Sequence, residues 1–260
     1  MGIINVTPDS FSDAGQCFEI DAAVERGLEL ARQGADILDI GGESTRPYSD
    51  AVDLDEEVRR TAPVVARLAE QLALPLSIDT SKATVAREAM AAGAEIINDI
   101  TGLSDPAMLG LAVEAGAGVC AMHMQGTPQT MQDNPVYADV VEEVFGYLEV
   151  RRDALIAAGI QPDRISLDPG IGFGKTHEHN ITLLAHCHRF HKLGCPLLLG
   201  PSRKGFIGKL LGDKHLDRTA GTIGVACALA RQGVQIIRVH DVAAVRQALI
   251  LYEASGGMSA

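Results

Sequence analysis

Short apolar runs alternate with longer stretches of helical periodicity along the whole chain. The runs are Gly2 to Val6, Ile37 to Ile40, Leu76 to Asp79, Ile96 to Asn98, Gly118 to Met122, Ile165 to Asp168, Leu197 to Leu199 and Ile236 to Val239. They are rich in Ile, Leu and Val and show no clean alternation, which predicts strands covered on both faces. Helices are predicted over Ala22 to Gln33, Leu54 to Leu72, Lys82 to Ala92, Pro106 to Glu114, Asp139 to Ala158, Asn180 to Phe190, Thr219 to Gln232 and Val242 to Ala254, with a shorter one near Arg203. Gly34 and Gly93 stand where helix-ending glycines are favoured, and Pro106 suits a first helical turn. Eight strand–helix units in a 260-residue chain predict one α/β domain over residues 1–260, a closed (β/α)8 TIM barrel. An open, doubly wound sheet is the alternative.

The connections are unequal. Those after the first, second and fifth strands (Thr7 to Asp21, Gly41 to Asp53, His123 to Ala138) are long, whereas the returns from helix to strand are short. A barrel gathers the long loops on one rim, where barrel active sites lie. The stretch Leu76-Ser77-Ile78-Asp79-Thr80-Ser81-Lys82 shows the pattern most sharply: a buried strand ends in a carboxylate, and Thr80 or Ser81 is placed to cap the next helix. Asn5, Asp39, Asn98, Asp168, Ser202-Arg203-Lys204, Arg238 and His240 also stand in or just past strands. Each has a plain structural reading: Asp39 bonding loop amides, Asp168 shaping a turn before Pro169-Gly170, Asn98-Asp99 capping the next segment, Asp241 capping the last helix. Their recurrence at one end of many strands favours a shared pocket.

Composition narrows the chemistry. A net charge of −12 disfavours nucleic acid and anionic membranes. Tryptophan is absent and aromatic residues are scarce, which argues against base stacking. No apolar run approaches the ~20 residues of a membrane span, and no basic-then-apolar leader opens the chain, so a cytoplasmic location is expected. Cys17, Cys120, Cys187, Cys195 and Cys227 include no CxxC pair and read as reduced thiols. Asp79, Asn98 and Asp168 together suit a flat heterocycle rich in N–H donors, such as an aminopyrimidinone or pterin. Arg46, Lys204, Arg238 and His240 are cations suited to a phosphate or diphosphate. Thr7-Pro8-Asp9-Ser10-Phe11-Ser12-Asp13 and Ser44-Thr45-Arg46-Pro47 read as lid loops.

A resemblance then becomes specific. Asn5-Val6-Thr7-Pro8-Asp9-Ser10-Phe11-Ser12-Asp13, Gly41-Gly42-Glu43-Ser44-Thr45-Arg46-Pro47, Ser77-Ile78-Asp79-Thr80, Ile97-Asn98-Asp99, Met122-His123-Met124-Gln125-Gly126, Asp168-Pro169-Gly170-Ile171-Gly172-Phe173-Gly174-Lys175, Ser202-Arg203-Lys204 and Arg238-Val239-His240-Asp241 resemble the dihydropteroate synthase family, in family order and over almost the whole chain. The resemblance implies a pterin-binding barrel, a homodimer, Mg²⁺ and inhibition by sulfonamides. It implies condensation of p-aminobenzoate with (7,8-dihydropterin-6-yl)methyl diphosphate by an SN1-like route. It assigns the pterin to Asp79, Asn98, Met122, Asp168, Phe173, Gly200 and Lys204. It assigns the diphosphate to Asn5, Thr45, Arg46, Arg238 and His240, with Mg²⁺ near Asn5 and Asp13. The p-aminobenzoate site would comprise Phe11, Thr45, Pro47, Ser202 and Lys204. Asp79, Asp168, Lys204 and Arg46 carry the catalytic electrostatics in this reading.

Three departures from the family pattern stand out. The chain opens almost on its first strand, so a floor segment is expected to be missing from the barrel. Ala14-Gly15 replaces a frequent Gly-Gly, and Tyr48 occupies a position where small residues are common; its side chain is expected to face solvent. His177, His179, His186, His188 and His191 lack zinc spacing and read as a solvated face. Gly170 to Lys175 resembles a phosphate loop without the full spacing. Two other functions remain: a corrinoid-dependent methyltransferase sharing the Asp79/Asn98/Asp168 set, disfavoured by Arg238, His240 and Ser202-Arg203-Lys204, and a non-catalytic pterin-binding protein, disfavoured by the lid residues.

Overall fold

Along each short strand, residues two apart share a face, so one side can be apolar while the other is polar even when both are buried. The computed structural model describes residues 1–7, 16–213 and 215–258. Among these residues lie β1 (Gly2–Asn5), β2 (Leu38–Gly41), β3 (Leu76–Asp79), β4 (Ile96–Asp99), β5 (Gly118–Met122), β6 (Ile165–Asp168), β7 (Leu198–Leu199) and β8 (Ile236–Ile237). Ile40, Ile78, Ile97, Ala121 and Leu167 occupy one face and are fully buried in the core. Asp39, Ser77, Asp79, Asn98, Cys120 and Asp168 occupy the other. The expectation of strands covered on both faces holds, and β2, β3 and β6 also alternate in chemistry.

β1 to β6 pair in parallel in chain order, and β7 pairs with β8. Bridges between Leu167 and Leu197 and between Gly2 and Val239 join the two sets. The Ile3 N–H donates to Val239 O at 3.0 Å, and the Val239 N–H to Met1 O at 2.9 Å. The last strand thus returns to the first, and the fold is the (β/α)8 barrel rather than the open sheet.

The helices are α1 (Gln16–Arg32), α2 (Leu54–Ala69), α3 (Ala83–Ala91), α4 (Pro106–Ala115), α5 (Val140–Ala157), α6 (His177–Ala185), α7 (Gly205–Leu210), α8 (Thr219–Arg231) and α9 (Val242–Ala254). Asp53, Asp105 and Asp139 cap α2, α4 and α5 by accepting backbone N–H bonds. The helix predicted from Asn180 to Phe190 starts earlier, because Thr176 and His179 form a reciprocal capping box. It ends at Ala185, and a 3-10 segment, Cys187–Leu193, follows. Neither Thr80 nor Ser81 caps α3: Lys82 holds the cap position without a side-chain cap bond. Thr80 instead donates to the fully buried Glu57 at 2.7 Å and accepts from Lys82 N at 3.2 Å. At the opposite end of the strands, a cavity of about 920 Å³ opens between Pro75, Ile96, Gly118, Ile165, Pro196 and Ile236.

Candidate functional site

Strand register sets the geometry of the barrel mouth. Asn5 pairs with Gly41, Gly41 with Asp79, and Asp79 with Asn98, so these residues lie at one level of the sheet. Met122 pairs with Asp168. Asp39 lies one pleat below, aligned with Ser77.

Arg238, just past β8, reaches into this ring. Its Nε donates to Asp39 Oδ2 at 2.5 Å and its Nη2 to Asp79 Oδ2 at 2.6 Å. Asn98 Nδ2 donates to the same Asp39 oxygen at 3.1 Å, while Asp39 Oδ1 is buried with no hydrogen-bond partner among the described residues. Asp39 thus bonds to site side chains rather than to loop amides. Burial pushes Asp79 up to about 7 against the pull of Arg238, with Asp39, Glu57 and Asp99 adding to the rise. Burial also opposes the charge on Arg238, but Asp39 and Asp79 outweigh it and hold the guanidinium firmly protonated.

Across the mouth, Asp168 Oδ1 accepts from Gly170 N at 2.7 Å, which is the expected turn bond. Burial raises Asp168, opposed chiefly by Lys204. Burial lowers Lys204 to about 8, opposed by Asp168. Lys204 Nζ donates to Ile171 O and lies 4.5 Å from the centroid of the Phe173 ring, a cation–π contact. The segment after β6 is held from beneath by Lys175, whose Nζ meets His123 Nδ1 at 2.9 Å and Phe173 O at 2.9 Å. Burial drives Lys175 well below its ordinary range and, with Lys175 adjacent, pushes His123 down to about 3. Gly170 has φ 71°, and a Cβ there would sit 1.9 Å from His123 O, so this turn requires glycine. Its lysine points into the protein and is spent on the protein's own carbonyls, unlike that of a phosphate loop.

Ser202 and His240 form a pair at the rim. Ser202 Oγ accepts the His240 N–H at 3.2 Å and lies 2.9 Å from His240 Nδ1. Burial, Arg203 and Arg238 push His240 down to about 4. The expectation of a cationic His240 is therefore corrected: its imidazole is neutral near pH 7 and offers a donor, not a charge. Arg203 turns away to chelate Asp241 at 2.9 and 2.5 Å. Asp241 occupies the cap position of α9 but forms no cap bond, because Arg203 claims its carboxylate.

The β2 loop carries half-buried Thr45 and exposed Arg46, Pro47 and Tyr48. Lys82 anchors its base, with Nζ at 2.6 Å from Glu57, 3.1 Å from Glu43 and 2.7 Å from Val52 O. Tyr48 is 65% exposed, as expected, yet its hydroxyl donates to Asp133 at 3.0 Å and its N–H to Pro128 O at 3.2 Å. It therefore ties the β2 loop to the β5 loop. A cavity of about 540 Å³ runs from Asp79 beneath Thr45, past Lys82, Ile100, Met124 and Tyr147.

The structure thus brings Asp79, Asn98, Asp168, Lys204, Phe173, Met122 and Arg238 to one mouth. Gly200 lies against Arg238, where a Cβ would come 3.8 Å from the arginine Cβ. Asn5 is exposed at the end of β1, and Arg46 and Pro47 stand out on the rim. Phe11, Asp13 and Ala14 lie outside the described residues. Lys175 and Lys82 were given no site role by the sequence, and Asp39, counted there among the strand-end polar groups, was given no ligand to hold. For Asp39, the one available sequence signal was a carboxylate inside an apolar run. Among the described residues, no three His, Cys, Asp or Glu side chains converge as a metal cage. Of the five histidines around α6, His179 caps the helix, while His186 and His191 donate to Thr182 O and Gln232 O.

Known proteins are similar to this chain in sequence and fold. A family described as pterin binding enzyme matches residues 1–240. The dihydropteroate synthase of Escherichia coli is 47% identical, over 98% of this chain and 90% of its own. The Xanthomonas albilineans dihydropteroate synthase with 4-aminobenzoic acid superposes with a TM-score of 0.92 at 49% identity, over 98% of this chain and 92% of that one. The Yersinia pestis dihydropteroate synthase with a sulfonamide drug complex gives a TM-score of 0.92 at 45% identity, over 98% and 93% of the two chains. The chain belongs to the dihydropteroate synthase family of pterin-binding enzymes.

Proposed function

From that membership we infer that the chain condenses p-aminobenzoate with (7,8-dihydropterin-6-yl)methyl diphosphate, giving 7,8-dihydropteroate and pyrophosphate. The observation that carries this reading is the buried mouth itself. Two carboxylates, Asp79 and Asp168, and the Asn98 amide stand at or next to strand ends there, with Lys204 over the Phe173 ring and Arg238 bonded to Asp79. Asp79, Asn98 and Asp168 accept from and donate to the edges of the pterin ring. Met122, Phe173 and Gly200 shape its slot, and Lys204 supplies a donor. Arg238, Arg46, Thr45, Asn5 and the His240 imidazole receive the diphosphate. Ser202, Pro47, Phe11 and the Lys204 stem receive p-aminobenzoate.

In the reaction, the bond from the pterin methylene to the diphosphate oxygen breaks and the oxygen keeps the electron pair. The dihydropterin ring spreads the resulting positive charge, and Asp79 and Asp168 favour it electrostatically. The arylamine nitrogen then forms the new C–N bond and loses a proton to solvent. Arg46 and Arg238 stabilise the departing anion, and the loops exclude water from the cation. No covalent enzyme intermediate is needed.

Mg²⁺ fits a substrate-borne role. It keeps several waters and commonly needs only one or two protein oxygens beside phosphates. Asn5, exposed at the end of β1, offers an amide oxygen, and Asp13 is the second candidate. When bound, the ion supplies charge neutralisation to the diphosphate. The chain acts as one domain, as a homodimer, in the cytoplasm, and sulfonamides compete with p-aminobenzoate. Pyrophosphate release tests the reading: the purified protein with Mg²⁺ should release it with both substrates present and fall to background when the pterin diphosphate is omitted. No dihydropteroate with both present would overturn it.

A further inference from the structure

Arg238 is held by two carboxylates whose settings differ. Its Nε bonds Asp39, which has no exposed side-chain surface, at 2.5 Å. Its terminal Nη2 bonds Asp79, which keeps 14% of its side-chain surface exposed and faces the mouth, at 2.6 Å. Asp39 also fixes Asn98 through the same oxygen. One contact is thus buried below the ring level and shared, while the other lies at the surface that a ligand must approach.

The N–H donors of a dihydropterin, at its 2-amino group, N3 and N8, are of the same chemical kind as the N–H that Arg238 presents to Asp79. Without substrate, the arginine satisfies a buried carboxylate that would otherwise be costly to leave unpaired. A pterin edge meeting Asp79 removes the need for that bond and competes for the same oxygen. The displaced Nη2 is then a charged N–H donor without an acceptor, on a guanidinium still held by Asp39, at a mouth where the diphosphate enters.

We propose that Arg238 exchanges partners during binding: Nε stays on Asp39, the positioning residue, while Nη2 leaves Asp79 for the diphosphate when a pterin edge takes Asp79. This rests on the synthase reading above and adds a coupling to it. The pterin ring and the diphosphate help each other bind even when they are not covalently joined, because the ring releases the cation that the anion needs.

Calorimetric titration of the whole protein tests the exchange, with Mg²⁺ and inorganic pyrophosphate as probe, with and without saturating 6-hydroxymethyl-7,8-dihydropterin. Pyrophosphate is expected to bind about tenfold tighter when the pterin is present. Asp79→Asn should weaken the pterin. It should also bind pyrophosphate alone severalfold tighter than wild type, because the neutral amide no longer holds the guanidinium. A gain of affinity distinguishes the exchange from damage to the fold. Equal pyrophosphate affinity with and without pterin, or no gain in Asp79→Asn, overturns the proposal. If Asp79→Asn does not fold, the wild-type coupling decides alone. Wild-type protein that forms dihydropteroate but shows no coupling refutes the exchange and leaves the synthase reading standing; protein that forms none refutes that reading.

Discussion

The barrel mouth and its rim solve the same problem, holding charged groups ready for a ligand, in opposite ways. In the mouth, Asp39, Asp79, Asn98 and Arg238 sit on or beside strands, largely out of solvent, and bond one another at 2.5 to 3.1 Å. Their protonation is shifted because the barrel denies them solvent. On the rim, Arg46 and Tyr48 stand on a loop, and Tyr48 reaches Asp133 across open surface. The difference separates two tasks. A rigid, dry set of acceptors can discriminate a ring by its hydrogen-bond pattern. Loops held by a few exposed bonds can close over an anion and a second substrate, then open again.

The comparison breaks most readily at Asp79. Asp79→Asn replaces an acceptor with a group that is partly a donor facing N–H groups, and pterin affinity should fall about a hundredfold, or ~2.7 kcal/mol. Near-wild-type pterin binding by calorimetry would show that the mouth does not read the ring through this residue.

Lys175→Met comes next. It leaves His123 Nδ1 and Phe173 O without their buried donor and should cost about 2 kcal/mol of stability. Because the lost bonds lie under the Phe173 side of the slot, KM for the pterin diphosphate should rise while that for p-aminobenzoate changes little. Denaturant titration and steady-state kinetics check the two effects separately. An equal rise in both KM values would count against a role specific to the pterin slot.

The rim should respond least. Tyr48→Phe removes one exposed bond between the β2 and β5 loops. KM for p-aminobenzoate should rise roughly twofold, with pterin affinity and stability unchanged. A large loss of pterin binding would erase the distinction between mouth and rim.

Much of the mouth was legible in the sequence because strand ends are local features: an apolar run stopping at Asp79, Asn98 or Asp168 announces a polar group at a barrel rim. The partners of those groups were not. Arg238 meets Asp39 and Asp79 across 199 and 159 residues of chain, contacts that exist only because β8 closes onto β1. Asp39 lies one pleat below the rim, so its position in the strand suggested a loop contact. Burial also changed the chemistry of groups whose type was plain, making a neutral donor of His240 and an internal tether of Lys175. The cap expected at Thr80 failed for a related reason, since Glu57, fully buried from α2, needed that hydroxyl more than the helix did.

Asp79 is the buried acceptor for the pterin ring in the proposed reaction, and the pH dependence of pterin binding tests that role most directly. With Asp79 raised to about 7, its acceptor form is present above that pH and is lost as pH falls through it. Calorimetric affinity for 6-hydroxymethyl-7,8-dihydropterin should weaken by up to about tenfold per unit as pH falls from 7 to 5.5. In Asp79→Asn that limb should vanish. Affinity that is flat across the range in the wild type, or a limb that persists in the variant, would contradict the assignment.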